Sequence, residues 1–146
     1  VLKTLSVADV HGHLVFACGS SLYAVPSETA SEVVNLPTLT RVPGAPAHLL
    51  GVFAHRGEVL PVIDVSRLVG KPVDEAFKRS VLVRTAKGVV AFTATRVLGV
   101  SPLEGSLERL GDAGVQRHLL GPARAPAGEV AVIDTGSFIE FLAQQG

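Results

Sequence analysis

Five histidines, one cysteine, two aspartates that each close a Val-rich run, and one arginine inside an apolar stretch are the residues of this chain best placed to do chemistry. Asp9, His11 and His13 alternate, so on an extended strand they share one face and form part of a metal site. Same-face neighbours on a strand stand about 6.6 Å apart, so three in a row do not converge on one ion without a bend. No second histidine or cysteine cluster completes the set, and no bound metal is expected. Cys18 stands before Gly19 with no cation beside it to lower its pKa, which fits a buried structural thiol rather than a nucleophile.

Asp64 and Asp134 can be read as paired carboxylates of a small β-barrel hydrolase or ligand-binding enzyme, working with a histidine. Capping of the turn that follows each aspartate explains them more simply. His55 beside Arg56 fits a surface turn better than a general base. No G-x-S-x-G elbow, G-x-G-x-x-G loop or Walker-type loop is present, so neither a serine hydrolase nor a nucleotide site is indicated. Arg56 is the informative charge. Its guanidinium can take a carboxylate bidentately or hold several carbonyls, which allows either a partner-facing anchor or a brace between subdomains.

The elements that must position these groups centre on Gly51–Gly70, GVFAHRGEVLPVIDVSRLVG. It reads as strand, tight turn at His55–Glu58, strand Val59–Ile63, then one helical turn Val65–Leu68 capped by Asp64. Gly57 supplies the positive φ that such a turn needs. Pro61 lacks an N–H and belongs at a sheet edge or bulge.

Upstream, His13–Ala17 and Leu22–Val25 form a hairpin around Cys18–Ser21. Ser27–Glu32 forms either a short helix capped by Ser27 or the outer face of a strand continuing through Val33 and Val34. Leu36–Val42 is extended, and Ala47–Leu50 is expected as a helical turn. Downstream, Lys71–Lys78 is a polar connector, and Ser80–Arg84 with Val89–Ala94 forms a second hairpin. Val97–Leu103 is extended, and Glu104–Gly121 allows a helical turn or two. Gly121–Gly128 reads as a loop, Glu129–Ile133 as a strand, and Ser137–Gln144 as a C-terminal helix with an apolar stripe.

GEVLPVID (57–64) returns as GEVAVID (128–134), and the hairpin 13–25 has a counterpart at 80–92. The order hairpin, connector, strand-to-Asp therefore occurs twice. Two related small barrels that hide their sheet edges account for this, with subdomains near 13–70 and 80–134 and the helix at 137–144.

Composition agrees. The chain has 146 residues, 47% of them hydrophobic and only 5% aromatic, with 15 Gly and 9 Pro, a profile of short strands joined by tight turns in a single domain. A formal net charge of zero gives no electrostatic footprint for nucleic acid or anionic lipid. One cysteine cannot form an internal disulfide, which points to a reducing cytoplasm. No apolar run approaches a signal peptide or the roughly 20 residues of a membrane span. The compact length favours a stand-alone protein. The mean hydropathy of +0.42 leaves apolar surface for a partner.

Ser31–Gly70 resembles the CheW-like domain of bacterial chemosensory systems. Glu32, Val33, Pro43, Pro46, Gly51, Val52, Arg56, Gly57, Pro61, Val62 and Asp64 stand in register with that family's pattern. Tyr23 in the first hairpin, Val89–Val100 and Gly128–Asp134 extend the likeness over nearly the whole chain. The resemblance implies an all-β fold of two interleaved five-stranded barrels with short helices, no catalysis and no cofactor. It implies a cytoplasmic adaptor at receptor arrays, coupling chemoreceptor tips to the regulatory domain of a CheA-type histidine kinase, with other CheW-like domains as ring neighbours. It carries kinase-facing roles to Glu32, Leu39 and Thr40, and a structural or kinase-interface role to Arg56 and Gly57. Receptor-facing roles fall on Val59, Val89 and Val90. Ala54, His55 and Thr95 depart from the family pattern, where Asn, an apolar residue and Asp are usual. That allows a divergent regulator or decoy that binds only one partner.

Overall fold

A computed structural model describes residues 12–145, and their side chains through residue 144. The described residues form eleven strands: β1 (His13–Cys18), β2 (Ser21–Pro26), β3 (Ala30–Asn35), β4 (Leu49–His55), β5 (Glu58–Ile63), β6 (Arg79–Thr85), β7 (Gly88–Ala94), β8 (Arg96–Ser101), β9 (Glu104–Arg109), β10 (Leu119–Ala125) and β11 (Gly128–Ile133). Among the described residues two α-helices, α1 (Val65–Leu68) and α2 (Thr135–Gln145), each follow a strand that ends at an aspartate, and a 3-10 turn spans Gly114–His118.

The strands form two sheets, one in the order β3-β6-β7-β5-β4 and one in the order β8-β1-β2-β11-β10-β9. Each hairpin has crossed over. β1 and β2 pair with the C-terminal strands, β2 running parallel to β11, while β6 and β7 pair with β3 to β5, β5 running parallel to β7. The fold is all-β and interleaved, and a division of the chain at residues 70–80 does not separate the sheets. The second sheet has six strands where five were expected: within Glu104–Gly121, where the sequence allows a helical turn or two, Glu104–Arg109 forms β9 and Gly114–His118 the 3-10 turn.

Both sheets close on themselves. β8 and β9 are opposite edges of the six-stranded sheet, which laid flat would stand roughly 24 Å apart. Pro102 and Leu103 alone join them, and three residue steps reach at most about 11 Å. The sheet must therefore curl, and Leu103 is fully buried inside it. In the other sheet the segment after β3 returns to β4: the N–H groups of Thr40 and Val52 each donate to the other's carbonyl at 2.9 Å. Gly51 makes this approach possible. Its φ is +153°, and a Cβ there would stand 2.7 Å from the Thr40 carbonyl oxygen.

One apolar cluster fills each barrel, around Phe53, Leu60, Val62, Leu82 and Ala91 in the first, and Val15, Ala24, Leu103, Val130 and Val132 in the second. A third and larger cluster lies between them, with Phe16, Val81, Phe92, Ile133 and Phe138 at its centre.

The repeat is more regular than the match of GEVLPVID to GEVAVID suggests. His48-Leu49-Leu50-Gly51 and His118-Leu119-Leu120-Gly121 both begin 17-residue units that end at Asp64 and Asp134, in a constant register of 70. The N–H of each aspartate donates to the carbonyl of its own histidine, at 2.8 Å from Asp64 to His48 and 3.0 Å from Asp134 to His118. Leu49 and Leu50 are accordingly strand and not helix, and Gly121–Ala125 is β10 and not loop. Of the two readings of Ser27–Glu32, the helix does not form and the strand forms only from Ala30, with Ser27–Thr29 making the turn that leads into it.

Three buried or half-buried histidines, His13, His48 and His118, are held below their ordinary 6.5, each mainly because burial penalises the charged ring. The unfolded chain takes up protons near pH 6.5 while the folded chain resists. Stability from this source is complete above pH 6.5 and is lost as pH falls from there toward the lower folded values. Denaturation midpoints should fall between pH 7.5 and pH 5.5; equal midpoints would show that these rings titrate freely in the folded protein.

Candidate functional site

The β4–β5 turn consists of Arg56 and Gly57, with φ of 51° and 82°, flanked by the pair His55 and Glu58. Two consecutive positive φ values give the tight turn whose twist matches its strands. Arg56 is the only non-glycine residue with positive φ among the described residues. The turn lifts its side chain into solvent, where it is 75% exposed.

Glu32 meets this turn from the opposite edge of the same sheet. On β3 it faces Leu82, so it points into the first barrel, as His55 does beside Phe53. The Glu32 carboxylate is 28% exposed and its oxygens are divided: Oε2 lies 3.0 Å from His55 Nε2, and Oε1 accepts from Arg56 Nη2 at 3.2 Å. The His55 hydrogen bond, ahead of the Arg56 charge, holds Glu32 below the usual carboxylate range. In a flat five-stranded sheet the outer strands would be roughly 19 Å apart; here carboxylate and imidazole touch, at the mouth of a closed barrel.

Leu39 packs against the first barrel's core, and Thr40 is exposed next to it on the bridge to Val52. Glu32, Arg56 and Gly57 thus gather at one seam, and the backbone bridge carrying Leu39 and Thr40 ties the same two edges. The other trio divides. Val59 is 68% exposed on the outer face of β5, where it pairs with Ala54, and Pro61 pairs with Val52 one step along. Val90 is on that same face but buried in the core between the barrels, and Val89 is on the opposite face, packed into the first barrel. Val90 therefore cannot offer its side chain to a partner, and Val89 offers little. The apolar strip on that face is the exposed Ala54 and Val59 with the half-buried Val52 and Pro61, of which the sequence points only to Val59. The cross-strand pairs at the turn define it, and the alternation within VVAF does not.

Asp64 and Asp134 each start a helix. Asp64 is buried, accepts from Ser66 N–H at 3.0 Å to cap α1, and pairs with Arg67 Nε at 3.2 Å. Asp134 starts α2 through its backbone, its carbonyl accepting from Phe138 N–H at 2.8 Å. A groove of about 520 Å³ opens beside β2 and β11, but neither aspartate lines it. Asp9 and His11 lie outside the described residues, and among the described residues no three acidic, histidine or cysteine side chains gather as a metal site. Thr95 spans a corner: its hydroxyl donates to the Ala17 carbonyl at 3.0 Å and accepts from Gly19 N–H at 3.2 Å.

Cys18 is buried, its thiol directed at the Thr93 carbonyl 3.4 Å away, and burial followed by the nearby Asp64 charge pushes it up to about 12. Its alkylation at pH 8 should proceed only as fast as the protein opens. Rapid stoichiometric labelling of the folded protein would contradict this placement.

The sequence pattern of the CheW-like domain family matches residues 12–135, which takes in every strand of both barrels. The chain belongs to that family. This CheW-like chain is 35% identical over 122 residues to protein FrzA of Myxococcus xanthus, covering 80% of the chain and 76% of that protein. It is 31% identical over 88 residues to the chemotaxis protein CheW of Thermotoga maritima, covering 60% of the chain and 58% of that relative. Its fold matches the crystal structure of the scaffolding protein TtCheW from Thermoanaerobacter tengcongensis with a TM-score of 0.75, at 20% identity, over 89% of this chain and 92% of that one. Among the described residues no helix is long and apolar enough to cross a membrane.

Proposed function

We infer that this CheW-like chain is a non-enzymatic chemosensory adaptor that couples chemoreceptors to a CheA-type histidine kinase. The observation that carries this reading is that the family pattern spans both barrels and the core between them. An adaptor of this kind works by holding two partners in fixed geometry, and it shifts the kinase between states to the extent that it binds those states unequally.

The kinase-facing surface is the seam of the first barrel, with Glu32, Arg56 and Gly57 at its mouth and Thr40 and the half-buried Leu39 beside it. The receptor-facing surface is the apolar strip Val52, Ala54, Val59 and Pro61, where a helical receptor tip can bury apolar area with few charges at the centre. The protein works in the cytoplasm at receptor arrays, with other CheW-like domains as neighbours in the ring.

The test is a binding titration against the C-terminal regulatory domain of a CheA kinase from the same genome, with a receptor-tip fragment in parallel. The parent protein should bind both. Glu32→Lys should weaken the kinase complex by roughly tenfold or more. Equal kinase binding by mutant and parent would remove Glu32 from that interface. Binding of only one partner by the parent would establish a specialised regulator, and binding of neither would overturn the adaptor reading.

A further inference from the structure

The divided carboxylate of Glu32 assigns different tasks to its two neighbouring partners, His55 and Arg56. We propose that His55 is the latch that closes the first barrel's seam through Glu32, and that Arg56 is a free arm that binds a carboxylate on the docking partner. This deepens the adaptor reading and, for the partner's identity, rests on it.

The two donors differ in how firmly each is held. His55 belongs to a strand, is only 24% exposed, and sets its ring edge-on to Phe53 at 6.1 Å and 71°. Holding it against Glu32 costs little side-chain entropy, because packing has already fixed the ring. Arg56 stands at the apex of a two-residue turn, with open space over Gly57. Its long side chain is largely in water, where one ion pair barely repays the order it requires. Among the described residues one of its nitrogens is engaged, on Oε1, so the fork that recognises a carboxylate is mostly unused there.

The division of oxygens completes the argument. When Arg56 swings outward to a partner's carboxylate, Glu32 keeps its bond to His55 through Oε2 and the seam stays shut. If Arg56 were the sole partner of Glu32, docking would strand the carboxylate and loosen β3 from β4. His55 is thus a positioning residue that separates the structural task from the binding task.

The seam has its own reporters, the reciprocal amides of Thr40 and Val52. Their hydrogen exchange is measured in the free protein for the parent, His55→Leu, His55→Gln and Arg56→Gln. His55→Leu should speed both amides by roughly tenfold or more. His55→Gln, whose amide can still donate to Glu32, should restore much of the protection, and Arg56→Gln should leave both amides as in the parent. The same variants are then titrated against the CheA regulatory domain at two salt concentrations. Arg56→Gln should bind roughly tenfold more weakly, with a smaller salt dependence than the parent. Parent-like protection in His55→Leu, or amides as fast in Arg56→Gln as in His55→Leu, would overturn the latch. Undiminished kinase binding by Arg56→Gln would overturn the arm. Failure of the parent itself to bind any CheA domain would remove the adaptor reading and the arm's partner with it, while the exchange data still decide the latch.

Discussion

Phe92→Ala should lower stability by about 3–5 kcal/mol, the largest loss expected from any single truncation in this chain. Phe92 is fully buried on β7. It stacks on Phe16 of β1 at 6.4 Å and 11°, and meets Phe138 of α2 edge-on at 5.7 Å and 72°. One ring therefore joins the first sheet, the second sheet and the C-terminal helix. Removing it leaves a cavity walled by three elements that cannot all collapse inward, so the upper part of the usual range applies. Thermal unfolding should remain a single transition at a lower midpoint, because the lost contacts belong to both barrels. Two separated transitions in the parent or in the variant would show that the barrels fold independently.

Gly51→Ala should cost about 2–4 kcal/mol, and its origin can be isolated. Two penalties coincide there. At φ +153° a residue with a Cβ is strained, and the new methyl would stand 2.7 Å from the Thr40 carbonyl oxygen. Relief requires the Thr40 segment to move away, which breaks the reciprocal bonds to Val52 and opens the first barrel at its seam. Gly57→Ala is the control. Its φ is also positive, at 82°, but nothing lies within 4 Å of the added methyl, so only the backbone penalty of about 1 kcal/mol applies. Equal melting points for the two variants would mean that the approach of Thr40 to Gly51 is not tight.

The parts of this fold that were legible in the sequence are those whose signal is local. The first hairpin, the turn at Arg56-Gly57, the cap at Asp64 and the helix after Asp134 each carry their own turn glycine, polar cap or apolar stripe, and each formed. β9 did not show itself because Glu104–Arg109 is polar and largely exposed; it is a strand through pairing with β10 and not through its own pattern. β10 was hidden by Gly121 and Pro122, which read as loop residues until the constant register from His48 to His118 is seen. Gly57 and Gly128 look equivalent as letters, but Glu58 is the structural counterpart of Gly128, and matching the wrong pair made the second unit look one residue short.

The candidate site was legible in part for a related reason. Glu32, Arg56 and Gly57 could be picked out singly, but the contact of Glu32 with His55 spans 23 residues and exists only because the sheet curls. His55 consequently looked like a surface departure from the family pattern. In the structure it is the inward-facing partner of the seam's carboxylate. Val90 was misplaced because two adjacent valines on a strand face opposite ways, and only the packing of the second sheet decides which face is covered.

The crossed hairpins have a consequence for how such a molecule comes to exist. A chain holding one repeat alone, from β1 to α1, has three strands ready for the first sheet but no β6–β7 hairpin to complete it, and its own β1–β2 hairpin has no sheet to join. Two such chains satisfy each other by exchanging hairpins, in the manner of a domain-swapped homodimer. The protein has the geometry of that dimer with its two subunits fused through residues 71–78. Fusion makes the exchange intramolecular, so it no longer depends on protein concentration. It also frees the two halves to diverge. One hairpin tip carries the charged His55-Arg56-Gly57, and its counterpart is the uncharged Ala125-Pro126-Ala127, giving two unlike ends from one duplicated plan.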